Sequence, residues 1–73
     1  MERFLRYSLE KQRPIRLIFF TEDGGMKQVN AQVIQLTNDS VTFTCLRPKG
    51  EFNLPLNRIL SADYKRGDEG QGE

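Results

Sequence analysis

From Ile15 to Tyr64 the chain alternates apolar and polar residues in brief runs, and turn residues close each run. The turns are Asp23-Gly24-Gly25, Asn38-Asp39 and Pro48-Lys49-Gly50. A period of two puts alternate side chains on one face of a strand, so runs of this kind separated by Gly, Asn, Asp and Pro describe antiparallel hairpins. A short amphipathic stretch precedes them. The pattern predicts a mainly β fold: an N-terminal α-helix followed by a five-stranded, strongly bent antiparallel sheet that closes as a small barrel.

The helix is expected over residues 2–12. Met1, Leu5 and Leu9 fall on one stripe with Phe4 and Ser8 beside it, because spacings of three and four share a helical face. Glu2 and Arg6 stand four apart in the favourable order for an ion pair. Pro14 stops the helix and forces Arg13 to be extended. A helix of about three turns is marginal alone, so it must lay Phe4, Leu5 and Leu9 on an apolar surface.

The first strand is Ile15 to Phe20. Ile15, Leu17 and Phe19 share one face, and Ile18 and Phe20 share the other with Arg16. Apolar residues on both faces imply that both are covered, one by the core and the other by the helix. Asp23-Gly24 then supplies the positive φ of a hairpin turn. From Met26 to Leu36 the alternation changes parity: Val29, Ala31 and Val33 are followed by Ile34 and Leu36, which predicts a bulge or sharp bend near Val33-Ile34. The third strand turns Val41, Phe43 and Cys45 inward and Thr42 and Thr44 outward. The sequence Arg47-Pro48-Lys49-Gly50 suits a type I turn. Phe52, Leu54 and Leu56 share the inner face of the fourth strand. Pro55 points outward and has no N–H to donate, which marks an edge strand. Asn57-Arg58-Ile59 is expected to form a single helical turn. Leu60, Ala62 and Tyr64 alternate in a last short strand.

Seventy-three residues, 37% of them hydrophobic, make one small core. Such a core seldom supplies more than about 3–5 kcal/mol. The lone Cys45 excludes an internal disulfide, and with no histidine a Cys/His metal cluster is excluded too. Self-association is therefore the expected further source of stability. No long apolar run suggests a signal peptide or membrane span, and a free cysteine suits a reducing cytoplasm. The net charge is +1, but the charge is unevenly placed. Residues 1–16 hold five basic and two acidic side chains, whereas residues 67–73 hold three acidic ones and nothing apolar. The domain is accordingly placed at residues 1–66, with residues 67–73 as a disordered acidic tail.

The order of helix, four meandering strands, short turn and final strand resembles the Sm-like small barrels. The segment Phe52-Asn53-Leu54-Pro55-Leu56-Asn57-Arg58-Ile59-Leu60-Ser61-Ala62 is similar to the ends of YolD-like and WYL-type domains, where an apolar strand is followed by an x-x-Ile turn and another strand. The resemblance spans roughly residues 2–65 by pattern. It implies a bent barrel, a tendency to bind nucleic acid or small ligands, and in some members ring assembly. Hfq-type Sm proteins carry a Lys-His pair and WYL domains a Trp-Tyr-Leu signature. This chain has no histidine and no tryptophan, so no binding residue is carried over.

Catalysis is not expected, and no catalytic, metal-binding or cofactor-binding residue is assigned. There is no histidine for proton transfer near neutral pH, and no base is placed to activate a nucleophile. Cys45 shares its parity with Val41 and Phe43, the pattern of an inert core thiol. Glu22 and Asp23 sit in a glycine turn that offers too few oxygens for Ca²⁺. Gly24-Gly25 serves the hairpin and precedes no helix, so it is not a phosphate loop.

The basic residues are the functional lead. Arg3, Arg6, Arg13, Arg16, Arg47 and Lys49 are the candidate phosphate contacts, and Lys65-Arg66 close the domain. Two readings stay open at this point. One is a binding module for RNA or single-stranded nucleic acid, for which Tyr7, Phe20 and Tyr64 are the candidate exposed aromatics, with packing at the barrel rim as the alternative for each. The other is a protein-interaction or self-assembly module, with a homo-oligomer formed through a sheet edge or the helix face. On the second, the basic residues are ordinary solubilising charges.

Overall fold

A computed structural model describes residues 2–47 and 49–65. The elements run α1 (Glu2–Lys11), β1 (Ile15–Phe20), β2 (Met26–Leu36), β3 (Ser40–Leu46), β4 (Lys49–Pro55), a 3₁₀ turn (Leu56–Arg58) and β5 (Ile59–Tyr64). The strands form one antiparallel sheet in the order β4-β3-β2-β1-β5. β4 and β5 are its two edges and do not pair with each other, so the sheet is open and the expected closure into a barrel is not made by backbone pairing. The acidic tail assigned to residues 67–73 lies outside the described residues, as do Met1 and Arg66. Among the described residues no helix is long and apolar enough to cross a membrane.

β2 is the spine of the sheet. Its first half pairs with β1 and its second half with β3, and Ala31 alone has a partner on each side, Ile15 and Cys45. The parity switch is a bulge: Val33 pairs with Phe43 and Gln35 with Thr42, so Ile34 has no partner. The extra residue returns Leu36 to the core side opposite Val41 and turns Ile34 outward, where it is exposed. The expectation that Ile34 and Leu36 share a face is therefore corrected. An inserted residue reverses the apparent parity without changing which face is buried.

The inward residues of β1 and β3 are those anticipated, but Thr42, expected outward with Thr44, is buried, and its hydroxyl accepts the Asn53 amide at 2.8 Å. Ile15, Leu17 and Phe19 are buried with Val41, Phe43 and Cys45. Phe43 has no solvent exposure, and its ring lies 5.9 Å from Phe19 and 5.7 Å from Phe52. Phe52 does not join them fully: it stands on an edge strand and remains 37% exposed. In β5 a register shift opposite Ile18/Phe19 puts Ile59 inward and leaves Leu60 exposed, so Leu60 does not share the inward face of Ala62 and Tyr64. The 3₁₀ turn begins one residue earlier than expected, at Leu56.

The helix covers a different surface from the one anticipated. Phe4 and Tyr7 make edge contacts with Tyr64 at 5.0 and 5.1 Å. Tyr64 pairs with Ile15 and so points to the same side as the core residues of β1. The helix thus closes one end of the buried face. Among the described residues no helix lies over the reverse face of β1: Ile18 is half-buried and Phe20 is 40% exposed. Of the two readings left open for Tyr7, an exposed stacking platform and a packing residue, the structure gives the second: Tyr7 is buried.

Ser8 secures this arrangement. β1 starts at Ile15, so β2 beyond Ala31 has no strand on that side. The Val33 N–H that faces the gap donates to Ser8 Oγ at 2.8 Å, and the Ser8 hydroxyl donates to the Arg13 carbonyl at 2.7 Å. One fully buried hydroxyl therefore joins the bend of β2 to the end of the helix. The helix finishes at Lys11 because Gln12 takes a left-handed conformation, φ 57°, which orients the chain toward Pro14.

Candidate nucleic-acid interface

Five of the six candidate phosphate contacts separate into two groups. Arg6 forms the expected ion pair with Glu2 at 2.9 Å on the exposed helix surface. The guanidinium of Arg3 lies 5.1 Å from the centre of the Phe4 ring, within cation–π range. Arg16 is held by Asp63, its cross-strand partner, at 3.4 Å. The Asp63 carboxylate also accepts the Tyr64 N–H at 2.7 Å. Both charges of the Arg16–Asp63 pair remain partly solvated, so the pair contributes about 0–1 kcal/mol and acts mainly to occupy the two groups.

Arg47 and Lys49 are placed differently. With Lys65 they line a groove of about 730 Å³. Its floor is provided by Asn30 and Gln32 of β2 and Thr44 of β3, and Pro14 and Leu46 supply apolar wall. Asn30, Gln32, Thr44 and Leu46 alternate with the core residues Ala31, Val33 and Cys45, so they belong to the opposite face of the sheet. Gln32 pairs with Thr44, which sets an amide beside a hydroxyl. Leu46 is 83% exposed. Three basic residues, from the two sides of the β3–β4 turn and the end of β5, thus line one groove together with hydrogen-bonding side chains and apolar surface. Arg13 is the nearest of the remaining candidates in the chain, one residue before the groove-lining Pro14.

Lys65 is distant from Arg47 in sequence, and only the pairing of β5 with β1 and of β1 with β2 brings it to this end of the sheet. The amides of Asn30 and Gln32 carried one legible signal: they are the polar partners in an alternating strand. Nothing in the chain marks them as facing the same groove as Lys65.

A second recess, about 590 Å³, opens beside the β4 edge. Phe19, Phe43, Phe52 and Leu54 form its apolar side, and Asp23, Lys27, Asn53 and Arg58 stand around it. Arg58 donates from Nε and Nη2 to the Phe20 carbonyl at 3.0 and 2.6 Å, satisfying the end of β1 where β5 turns away. Asp23 is a turn element. The Thr21 hydroxyl and the Gly25 N–H donate to its carboxylate and hold its pKa below the usual value. Gly24, at φ 89°, supplies the positive φ anticipated there. The Cys45 thiol is buried, and burial pushes its pKa up.

Against this geometry, no protein family model, no curated protein and no solved structure matches the chain.

Proposed function

We propose that this chain is a non-enzymatic binding module of the Sm-like small-barrel type, and that it holds single-stranded nucleic acid, RNA in the first instance, in the groove of Arg47, Lys49 and Lys65. The observation that carries the reading is the convergence of these three cations, from separate parts of the chain, on one groove floored by Asn30, Gln32 and Thr44. The groove volume lies within the range of about 300–1,000 Å³ common to ligand sites. The cations meet phosphate oxygens, and the amides and the hydroxyl meet sugar hydroxyls or base edges. Among the described residues no aromatic side chain lines the groove, so base stacking is not its main source of affinity and sequence preference is weak.

The test is fluorescence anisotropy of short RNA and DNA oligonucleotides at several salt concentrations. Three phosphate contacts to a single strand predict a slope of log K against log salt of about −2. Replacing Arg47, Lys49 and Lys65 together by Ala removes binding, whereas replacing Arg3 and Arg6 changes it little. An oligonucleotide that does not bind even at low salt removes this function.

A second reading is supported by the two edge strands, β4 and β5, each of which has one side without a strand partner among the described residues. An open edge is a template for another strand, which suits a self-assembly module.

A further inference from the structure

The direction of the hydrogen bonds at the β4 edge narrows what can pair there. Ser40 turns both backbone groups toward β2: its carbonyl accepts the Thr37 N–H at 2.9 Å and its own N–H donates to Thr37 Oγ1 at 3.0 Å. Backbone groups alternate sides along a strand, so Val41, Phe43 and Cys45 face β4. Asp39 fits the same alternation, since its carbonyl accepts the Leu56 N–H at 2.9 Å. The partners of Val41, Phe43 and Cys45 are Leu54, Phe52 and Gly50, whose backbone groups face inward. Glu51 and Asn53 therefore direct N–H and C=O to the open side, and Pro55 directs a C=O with no N–H. The β5 edge is poorer. Tyr64 has its N–H satisfied by Asp63, and Leu60 sits at the register shift.

We infer that a second copy of this chain pairs antiparallel with β4, about a two-fold axis that passes beside Phe52. This rests on the assembly reading of the open edge. The register follows from chemistry. Centred on Glu51, the pairing sets two carboxylates against each other. Centred on Asn53, it sets Pro55 against Glu51 and loses a donor. Centred on Phe52, it sets Glu51 against Asn53 of the second copy, twice, with four backbone hydrogen bonds at the centre, and Pro55 opposes Lys49 only at the two outer ends, where its carbonyl can still accept the Lys49 N–H. The Asn53 amide already donates one hydrogen to Thr42 Oγ1 at 2.8 Å and keeps another for the opposing carboxylate. The two Phe52 rings then lie side by side on the core face, over the recess lined by Phe19, Phe43 and Leu54. That contact covers a core-phase aromatic that the isolated chain leaves 37% exposed.

The test combines sedimentation velocity with two kinds of variant. Wild type is expected to show a concentration-dependent monomer–dimer equilibrium. Phe52→Cys is expected to form a disulfide-linked dimer in a glutathione redox buffer, since facing Cα atoms in such a pair are about 4.5 Å apart, within disulfide reach. Wild type, with Cys45 buried, serves as the background. Asn53→Glu sets like charges across the axis twice and is expected to weaken the dimer about tenfold. Glu51→Lys added to Asn53→Glu restores attraction and the dimer, which a merely misfolded Asn53→Glu chain would not allow. A monomer at every concentration overturns both the assembly reading and this register. Assembly without a Phe52→Cys cross-link, or without rescue by the charge swap, overturns the two-fold β4 pairing and leaves edge assembly standing.

Discussion

Replacing Ser8 by Ala isolates the hydroxyl that fixes the helix to the sheet. In the native chain Ser8 Oγ accepts the Val33 N–H at 2.8 Å and donates to the Arg13 carbonyl at 2.7 Å. Val33 is 1% exposed, so its N–H has no access to water once the hydroxyl is gone. A buried donor left without a partner costs about 1–3 kcal/mol. Arg13 is exposed, and its carbonyl regains hydration at little cost. Alanine is the better helix former by up to about 0.5 kcal/mol, which opposes the loss. The net expectation is a destabilisation of about 0.5–3 kcal/mol, centred near 1.5–2. Against a total of about 3–5 kcal/mol this is a large fraction. It lowers Tm by about 10 °C in a domain of this size. Urea unfolding followed by circular dichroism measures it directly: the midpoint falls while the m-value is unchanged. A loss below about 0.5 kcal/mol, the size of an ordinary surface substitution, refutes the role assigned to Ser8.

Three further expectations follow from the same contacts. Phe43→Ala leaves a cavity in the centre of the aromatic cluster and costs about 3–5 kcal/mol, enough to unfold most of the population; a cooperative melt near the wild-type temperature contradicts the packing. Gln12→Gly relieves the left-handed strain at the helix end and raises stability by about 0.5 kcal/mol after the greater chain entropy of glycine is counted; a lower melting temperature would show that the Gln12 side chain itself holds the cap. The depressed pKa of Asp23 contributes stability that is present above the usual aspartate value and is lost as the pH falls through the lowered folded value, so the β1–β2 turn loosens only in acid. An NMR titration midpoint for the Asp23 carboxyl at or above that of an unstructured peptide refutes this.

What could be read from the chain, and what could not, divides along a physical line. Period-two alternation depends only on local geometry, so the inward residues of β1 and β3 are legible one by one, whereas the burial of Thr42, expected outward, is not. The break near Val33-Ile34 is legible because a bulge must shift parity. Glu2 and Arg6 are legible because helical spacing alone brings them together. The side covered by the helix is not, since Ile18 and Phe20 are as apolar as a buried pair would be and only the Tyr64 contacts decide the matter. The groove is illegible for a related reason. Arg16 and Arg47 are equivalent as letters, but the β1–β5 register gives Arg16 a carboxylate while Arg47 receives Lys49 and Lys65 as neighbours. The exposure of Phe52 likewise follows from the position of β4 at an edge, which its own sequence indicated only through Pro55.

The decisive measurement is a ¹H–¹⁵N NMR titration of the chain with a short single-stranded RNA at low salt. Shift changes are expected to be confined to Asn30, Gln32, Thr44, Arg47, Lys49 and Lys65 and to be lost on adding salt, with Glu2, Arg3 and Arg6 unmoved. Changes centred on the helix surface, or none at any RNA concentration, contradict that expectation.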